Sequence, residues 1–335
     1  MTVVTYKSTD SSAPVLTGQS GALITVLDAI LVNGYGSKAA AGWTKAFSAT
    51  NKAVYRMATS GNSGFYLNVQ DGAPATAKEA RIWGYEAATA QDTGTAPFPT
   101  VAQMATGLFA RKSNTADSTA RAWYCVADNS VFYFFADTGD FTAPAYSLAF
   151  AFGDIFSYKS SDAYKCIIMG RDSENTSSVT NERLPSVNTV GSGPAFPTTL
   201  TGHYIARSWT GTGASIAVGK HAVAMAMSSS SAGANAVVGA VATASAPSPQ
   251  VTYPNGPDSA LLLSPIWIHH SNAVRGYLKG LWAPCHSQPL SHGDTFSGTG
   301  NMSGKTFLAL NVKGDNGASQ SPNGQIMIET SDTWS

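Results

Sequence analysis

The run ARAWYCV (Ala120–Val126), the tripeptide DNS (Asp128–Ser130) and the run VFYFF (Val131–Phe135) decide how this chain folds. Two segments rich in aromatic and β-branched residues flank three turn-forming polar ones, the pattern of an antiparallel hairpin. Outward from it the same signal recurs. Phe65–Val69 reads as a strand, and in Ala80–Tyr85 the residues Arg81, Trp83 and Tyr85 alternate with Ala80, Ile82 and Gly84. Tyr146–Phe152 and Tyr164–Met169 form a further pair around a short link at Asp154. From Leu261 onward, short apolar runs alternate with Gly and Asn turns, again as strands.

Two helices are predicted. Ser20–Val32 has Ser20 as N-cap, Leu23, Leu27, Ile30 and Leu31 on one face, and the turn sequence Asn33-Gly34-Tyr35-Gly36 as its stop. Val101–Arg111 follows Pro99 and a capping Thr100, with Met104, Ala105 and Leu108 as its apolar stripe. The fold class is therefore α+β, predominantly antiparallel β with a few short helices, in β-sandwich-like domains.

A chain of 335 residues exceeds the size at which one core tends to split. We expect an N-terminal α+β domain over residues 1–180 and a mainly β domain over 181–335, with the polar stretch Asp172–Asn181 at the boundary. The low-complexity stretch Ser228–Pro249 reads as a long loop or an arm that orders against a partner.

Charge is the second informative feature. Asp, Glu, Lys and Arg make up 12% of the chain, with 20 basic and 20 acidic residues and a net charge of zero. Soluble domains usually carry about 25% charged residues. Between Arg183 and Asp258 the only charges are Arg207 and Lys220. Interface cores are depleted in charge, so this composition points to a surface covered by other subunits. The alternative is a monomer with a neutral surface hydrated through Ser and Thr. Balanced charge without a basic run argues against a nucleic-acid partner. The first residues lack the order of a signal peptide, and no stretch of 18 apolar residues is present, so no membrane span is expected. Three cysteines (Cys125, Cys166, Cys285) do not make a disulfide framework, which suits synthesis in a reducing cytoplasm.

Motifs that could carry chemistry fail on spacing. Gly213 and Gly219-Lys220-His221 enclose five residues where a phosphate-binding loop needs four, and His stands where Ser or Thr is required. Gly304-Lys305-Thr306 has the right ending, but Thr299 stands where the first glycine belongs. His269, His270, Cys285, His286, His292 and Asp294 form the densest polar constellation, yet match no zinc-ligand spacing, so no metal or cofactor is expected. Asp92-Thr93-Gly94 and Asp137-Thr138-Gly139, 45 residues apart, repeat the tripeptide of aspartic proteases and read as turns. The carboxylate pair of a glycosidase is defined by its separation in space, which sequence spacing does not reveal; the chain has only five glutamates (Glu79, Glu86, Glu174, Glu182, Glu329), and a composition short of clustered Asp and Glu disfavours a glycan-cleaving enzyme.

The seven tryptophans are Trp43, Trp83, Trp123, Trp209, Trp267, Trp282 and Trp334. Trp334 stands one residue from the end of the sequence, where a chain seldom finds a core of its own, so it is expected to pack on a neighbour. The candidate assembly contacts are Trp334, Ile328, Met327, Val237 and Val238. Deleting residues 330–335 is expected to impair assembly without unfolding the chain.

Three stretches carry a resemblance to a known group: MTVVTYKSTDSSAPVLTGQSGALITVLDAILVNGYGSKAAAGWTKAF at the start, AKEARIWGYEAATAQDTGTAPFPT, and VRGYLKGLWAPCHSQPLSHGDTF with the later GKTFLAL and GQIMIETSDTW. Together they resemble virion structural proteins of tailed bacteriophages, of the tail or baseplate type. The resemblance implies a non-enzymatic part of the particle, assembled in the host cytoplasm and located in the virion. Its partners would be copies of itself and other virion proteins, with no nucleic acid, membrane or small-molecule substrate. A second expectation is a receptor-facing or capsid-decorating module that binds host-surface polysaccharide through exposed aromatics.

Overall fold

In the computed structural model the described residues are 2–72, 78–139, 147–171, 202–217, 220–222, 253–270, 273–284, 290–312 and 324–334. They form three antiparallel sheets in three layers. The central sheet runs in the order β1 (Val4–Lys7), β8 (Trp123–Ala127), β9 (Val131–Ala136), β10 (Ser147–Asp154), β12 (Cys166–Met169), β13 (His203–Ile205), β14 (Ile216–Ala217). The hairpin that opened the sequence reading, β8–β9, lies inside it, with Trp123 opposite Ala136 and Cys125 opposite Phe134. The Asp128 carboxylate closes the turn by accepting from the Ser130 N–H at 2.6 Å, the Ser130 hydroxyl at 2.8 Å and the Val131 N–H at 2.8 Å.

Both faces of this sheet are covered, which is why every residue of β9 is buried. Side chains alternate across a pleated strand. Phe132 and Phe134 therefore join Trp123, Cys125, Phe150, Phe152, Cys166 and Ile168 in one core, while Val131, Tyr133 and Phe135 join Val126, Ala151, Ile167 and Met169 in the other. The two-residue hydrophobic period is obscured in sequence because both phases are apolar.

The first core is closed by an outer sheet ordered β2 (Thr44–Ala49), β3 (Lys52–Arg56), β4 (Tyr66–Gln70), β5 (Glu79–Ala90), β6 (Thr93–Phe98), with β7 (Leu108–Arg111) pairing the start of β5. Aromatic rings knit the layers together: Trp43 meets Phe132 edge-on at 5.5 Å and Phe98 stacks on Phe152 at 5.9 Å. Each fully buried Phe of this kind contributes roughly 1.5–3 kcal/mol. The second core is closed by a sheet ordered β15 (Lys220–Ala222), β16 (Leu263–His270), β17 (Ala273–Pro284), β20 (Gly324–Glu329), β19 (Thr306–Val312), β18 (Thr295–Ser297). Its apolar face brings Ile266, Ile268, Leu278, Leu281, Leu308, Leu310, Ile326 and Ile328 against the central sheet. The mainly antiparallel, sandwich-like fold expected from sequence is what forms.

Three expectations need correction. The single α-helix among the described residues, α1, is short (Ala22–Leu27) and continues through Asp28–Asn33 with wider hydrogen bonding, Gly34 N–H donating to Ala29 O at 2.8 Å. Its N-cap is Gly21, not Ser20. The start of the helix is held from a distance instead: the Asp71 carboxylate accepts from the Leu23 N–H at 2.7 Å and is paired with Lys112, both side chains fully buried.

The helix expected over Val101–Arg111 is absent. Thr100 and Gln103 do form a reciprocal cap, Thr100 N–H to Gln103 Oε1 at 2.8 Å and Gln103 N–H to Thr100 Oγ1 at 3.2 Å, but it closes one turn only. Leu108–Arg111 then pair with Glu79–Ile82 as strand β7 and bury Leu108 and Phe109. Non-local pairing with burial outweighs the local helical pattern.

The division at 180/181 does not separate two cores. β13 and β14 complete the sheet that β1 begins, and one apolar cluster joins residues from Val3 to Ile328. Of the expected features, Ser228–Pro249, with Val237 and Val238, lies outside the described residues.

Candidate functional site

Among the described residues, a cleft lies where the three layers meet. After β10 the chain leaves the central sheet, and β11 (Phe156–Ser157) pairs instead with β17 of the second outer sheet, Phe156 opposite Tyr277 and Ser157 opposite Gly276. Glycine is required at 276 because a Cβ there would lie 1.7 Å from the Phe156 carbonyl oxygen. The loop that follows, with Ser63 from the β3–β4 connection and Lys279 from β17, encloses a cleft of about 580 Å³. Ser63, Ser157, Lys159, Asp162, Lys165 and Lys279 line it.

The loop is pinned from beneath. Arg275 reaches Asp162 with two hydrogen bonds of 2.9 Å, and both side chains are about 1% exposed. Arg275 also donates to the carbonyls of Tyr164, at 2.9 Å, and Arg207. Ser157 Oγ donates to the same carboxylate at 2.8 Å. Burial alone would raise the Asp162 pKa, but the hydrogen bonds from Arg275 and Ser157 outweigh it and hold it below the usual carboxylate range. Asp154, fully buried, is the opposite case: desolvation pushes its pKa up, against the Ser63 hydroxyl (2.6 Å), the Ser63 N–H (2.8 Å) and Lys165 (3.7 Å). Burial lowers the Lys279 pKa while its ammonium donates to Ser130 Oγ at 2.8 Å.

Beside the cleft stands an aromatic ledge. Phe156 and Tyr277 stack with ring centres 4.6 Å apart, and Tyr158 meets each of them edge-on at 5.8 and 6.1 Å. Trp267 Nε1 donates to the Tyr158 hydroxyl at 3.3 Å. Phe156 is 38% and Tyr158 57% exposed, unusual for large rings with cores available on both sides of the central sheet. Both carboxylates near the cleft are committed to internal bonds. The exposed polar side chains of the lining are Lys159, Ser160 and Ser161, beside the ring faces of Phe156 and Tyr158.

The residues singled out in the sequence go elsewhere. Met327 and Ile328 are fully buried in this chain's own cores, which leaves them no surface for a neighbouring subunit. Trp334 also has a seat on its own chain: it covers Gly280, lies 5.9 Å from the Tyr133 ring and donates from Nε1 to Glu329 O at 2.8 Å. The ring is half-buried there, because the segment before it folds back over the second core.

His292 accepts the Asn311 N–H on Nδ1 at 3.0 Å and meets Tyr124 edge-on; desolvation lowers its pKa. Cys285 and His286 lie outside the described residues, as do the side chains of His269 and His270, and no cluster of metal-binding side chains occurs among the described residues. Lys305 of the Gly-Lys-Thr sequence pairs with Glu329 at 2.9 Å and lies over Trp282. Asp92 sits in the β5–β6 turn, bonded to Lys52 and Asn68, and Asp137 accepts from Gly139 within its own turn. Glu79 pairs with Arg111 and Arg171, and Glu86 with Arg207, so the described glutamates are each held by a cation.

Sequence reasoning missed the cleft. Its signal was faint: Phe156, Tyr158, three serines and two lysines within ten residues, between strands already recognised. No protein-family model matches the chain, and a search of curated proteins finds no match. Among the described residues, no helix is long and apolar enough to cross a membrane.

Proposed function

We propose that this chain is a non-enzymatic structural component of a tailed-phage virion, in the tail, baseplate or neck, acting through contacts with copies of itself and other virion proteins. One observation supports it most. Charge is scarce, and part of it is taken up inside the fold: Asp71, Glu79, Arg111, Lys112, Asp154, Asp162, Arg171, Arg275 and Glu329 are buried. They are nine of the 40 charged residues in the chain. At most 31 charged residues, 40 less these nine, remain for the surface of a 335-residue chain, and surfaces that poor in charge suit permanent subunit contacts.

The test is a cryo-EM reconstruction of the intact phage, with the chain traced into its density. A ring of copies at the neck or baseplate is the expected result, since closed symmetry is the usual outcome of repeated identical contacts. Absence of the chain from purified particles overturns the proposal. A second reading, a module that binds host-surface polysaccharide, is favoured by the exposed ledge of Phe156 and Tyr158; density confined to a fibre tip would support it over the first.

A further inference from the structure

We infer that the cleft and its aromatic ledge form a binding site for an acidic oligosaccharide, a run of pyranose rings carrying carboxylates. The inference rests on the polysaccharide reading above and adds the place, the contacting groups and the charge of the ligand.

The ledge supplies the ring contacts. A pyranose presents a flat face of C–H groups that packs against an aromatic ring, while its rim of hydroxyls needs donors and acceptors close by. Tyr158 is more than half exposed, and its hydroxyl is fixed by Trp267, so the ring is oriented before any ligand arrives. Phe156 is held by its stack on Tyr277 and also lines the cleft, making ledge and cleft one continuous surface. The polar rim is Asn62, Ser63, Ser157, Ser160 and Ser161. The volume of about 580 Å³ lies within the roughly 300–1,000 Å³ of ligand-binding clefts.

The charge of the site selects the acidic class. Lys159, Lys165 and Lys279 line the cleft, and Arg275 lies directly beneath. Against these four cations stand Asp154 and Asp162, one buried behind Ser63 and the other held by Arg275. Asp128, behind Lys279, turns its carboxylate to its own hairpin backbone. Even with Asp128 counted, cations outnumber carboxylates four to three, in a protein whose net charge is zero. Lys159 is exposed, and its ammonium is anchored on the Trp209 carbonyl, which extends the positive rim. A ligand carboxylate on this rim makes charge-assisted bonds that a neutral sugar lacks.

The experiment is calorimetric titration of the full chain with a hexamer of galacturonic acid, with the same hexamer after carboxyl reduction, and with inorganic polyphosphate. Tyr158→Ala and Lys159→Gln, both at exposed positions, are the variants, with thermal midpoints as folding controls. We expect the acidic hexamer to bind best and to weaken with salt. Tyr158→Ala weakens both sugars roughly tenfold, the equivalent of one aromatic contact. Lys159→Gln weakens only the acidic one, by roughly threefold. Equal binding of the acidic and reduced hexamers overturns the charge inference but leaves the polysaccharide reading standing. Binding of neither sugar overturns both. Binding untouched by Tyr158→Ala, or matched by polyphosphate, overturns the assignment of this site.

Discussion

Removing the Asp162 carboxylate tests whether the loop Phe156–Lys165 is held by a buried charge pair. In Asp162→Ala the Arg275 guanidinium remains about 1% exposed, between β17 and the loop, with only the Tyr164 and Arg207 carbonyls as partners. Stranding one member of a buried pair costs about 3–5 kcal/mol. Whole-domain stability is typically about 5–15 kcal/mol, so the change is a large fraction of the total. Asp162→Asn keeps one oxygen acceptor for Arg275 and should lose about half as much. Urea unfolding followed by tryptophan fluorescence measures both variants, and hydrogen exchange over 156–165 should accelerate in the alanine variant before the rest of the fold responds. The pair also has a pH signature. Because the folded Asp162 pKa is depressed, its stabilisation is complete above the ordinary carboxyl value of about 3.9 and is lost as pH falls below that through the folded value. The advantage of wild type over Asp162→Ala should therefore shrink only in acid. A loss under about 1 kcal/mol at neutral pH, equal for both variants, would refute the view that this pair holds the loop.

Four further outcomes follow from the packing. Asp92 has its pKa lowered to about 2, burial being outweighed by hydrogen bonds from Lys52, Gln70, Asn68 and Gln91; Asp92→Ala should cost about 1 kcal/mol more above pH 4 than once pH has fallen through about 2, as read by denaturation at several pH values. The Tyr133 hydroxyl is buried with no hydrogen-bond partner among the described residues, so Tyr133→Phe should raise stability by about 1 kcal/mol, and a loss in thermal melting would contradict that. Gly280 has φ +69°, and an added Cβ would lie 2.3 Å from the Trp334 indole; Gly280→Ala should displace that ring and lower stability by about 1–3 kcal/mol, with red-shifted fluorescence as the readout. Deleting residues 330–335 removes Trp334 from the second core and breaks the Val3 N–H to Asp332 O bond of 2.8 Å, so the truncated chain should melt at a lower temperature, contrary to the expectation from sequence; an unchanged melting curve would restore the idea of an outward-facing end.

Local signals carried the strands and turns. The β8–β9 hairpin could be read because Asp128 and Ser130 chemistry is encoded within a few residues, and the alternation in Ala80–Tyr85 reports a pleat directly. The helix at Ala22–Leu27 was visible for the same reason, although its cap came from Asp71, 48 residues from Leu23. What could not be read is set by contacts between distant segments. Leu108–Arg111 has a helical pattern and still becomes a strand, because pairing with Glu79–Ile82 buries it in a core. That β9 is buried on both faces depends on a second outer sheet made largely from residues after 260. The cleft is a further case: Ser63, Asp162 and Lys279 come from three parts of the chain, and no spacing rule joins them.

The sequence by itself therefore determined an antiparallel β protein poor in charge, since composition, alternation and turn chemistry act over short distances. Only the tertiary structure decided the three-layer stacking, the buried ion pairs, the seat of Trp334 and the meeting of ring faces with lysines. Each depends on which surfaces exclude water from one another, and that is settled only when the sheets pack.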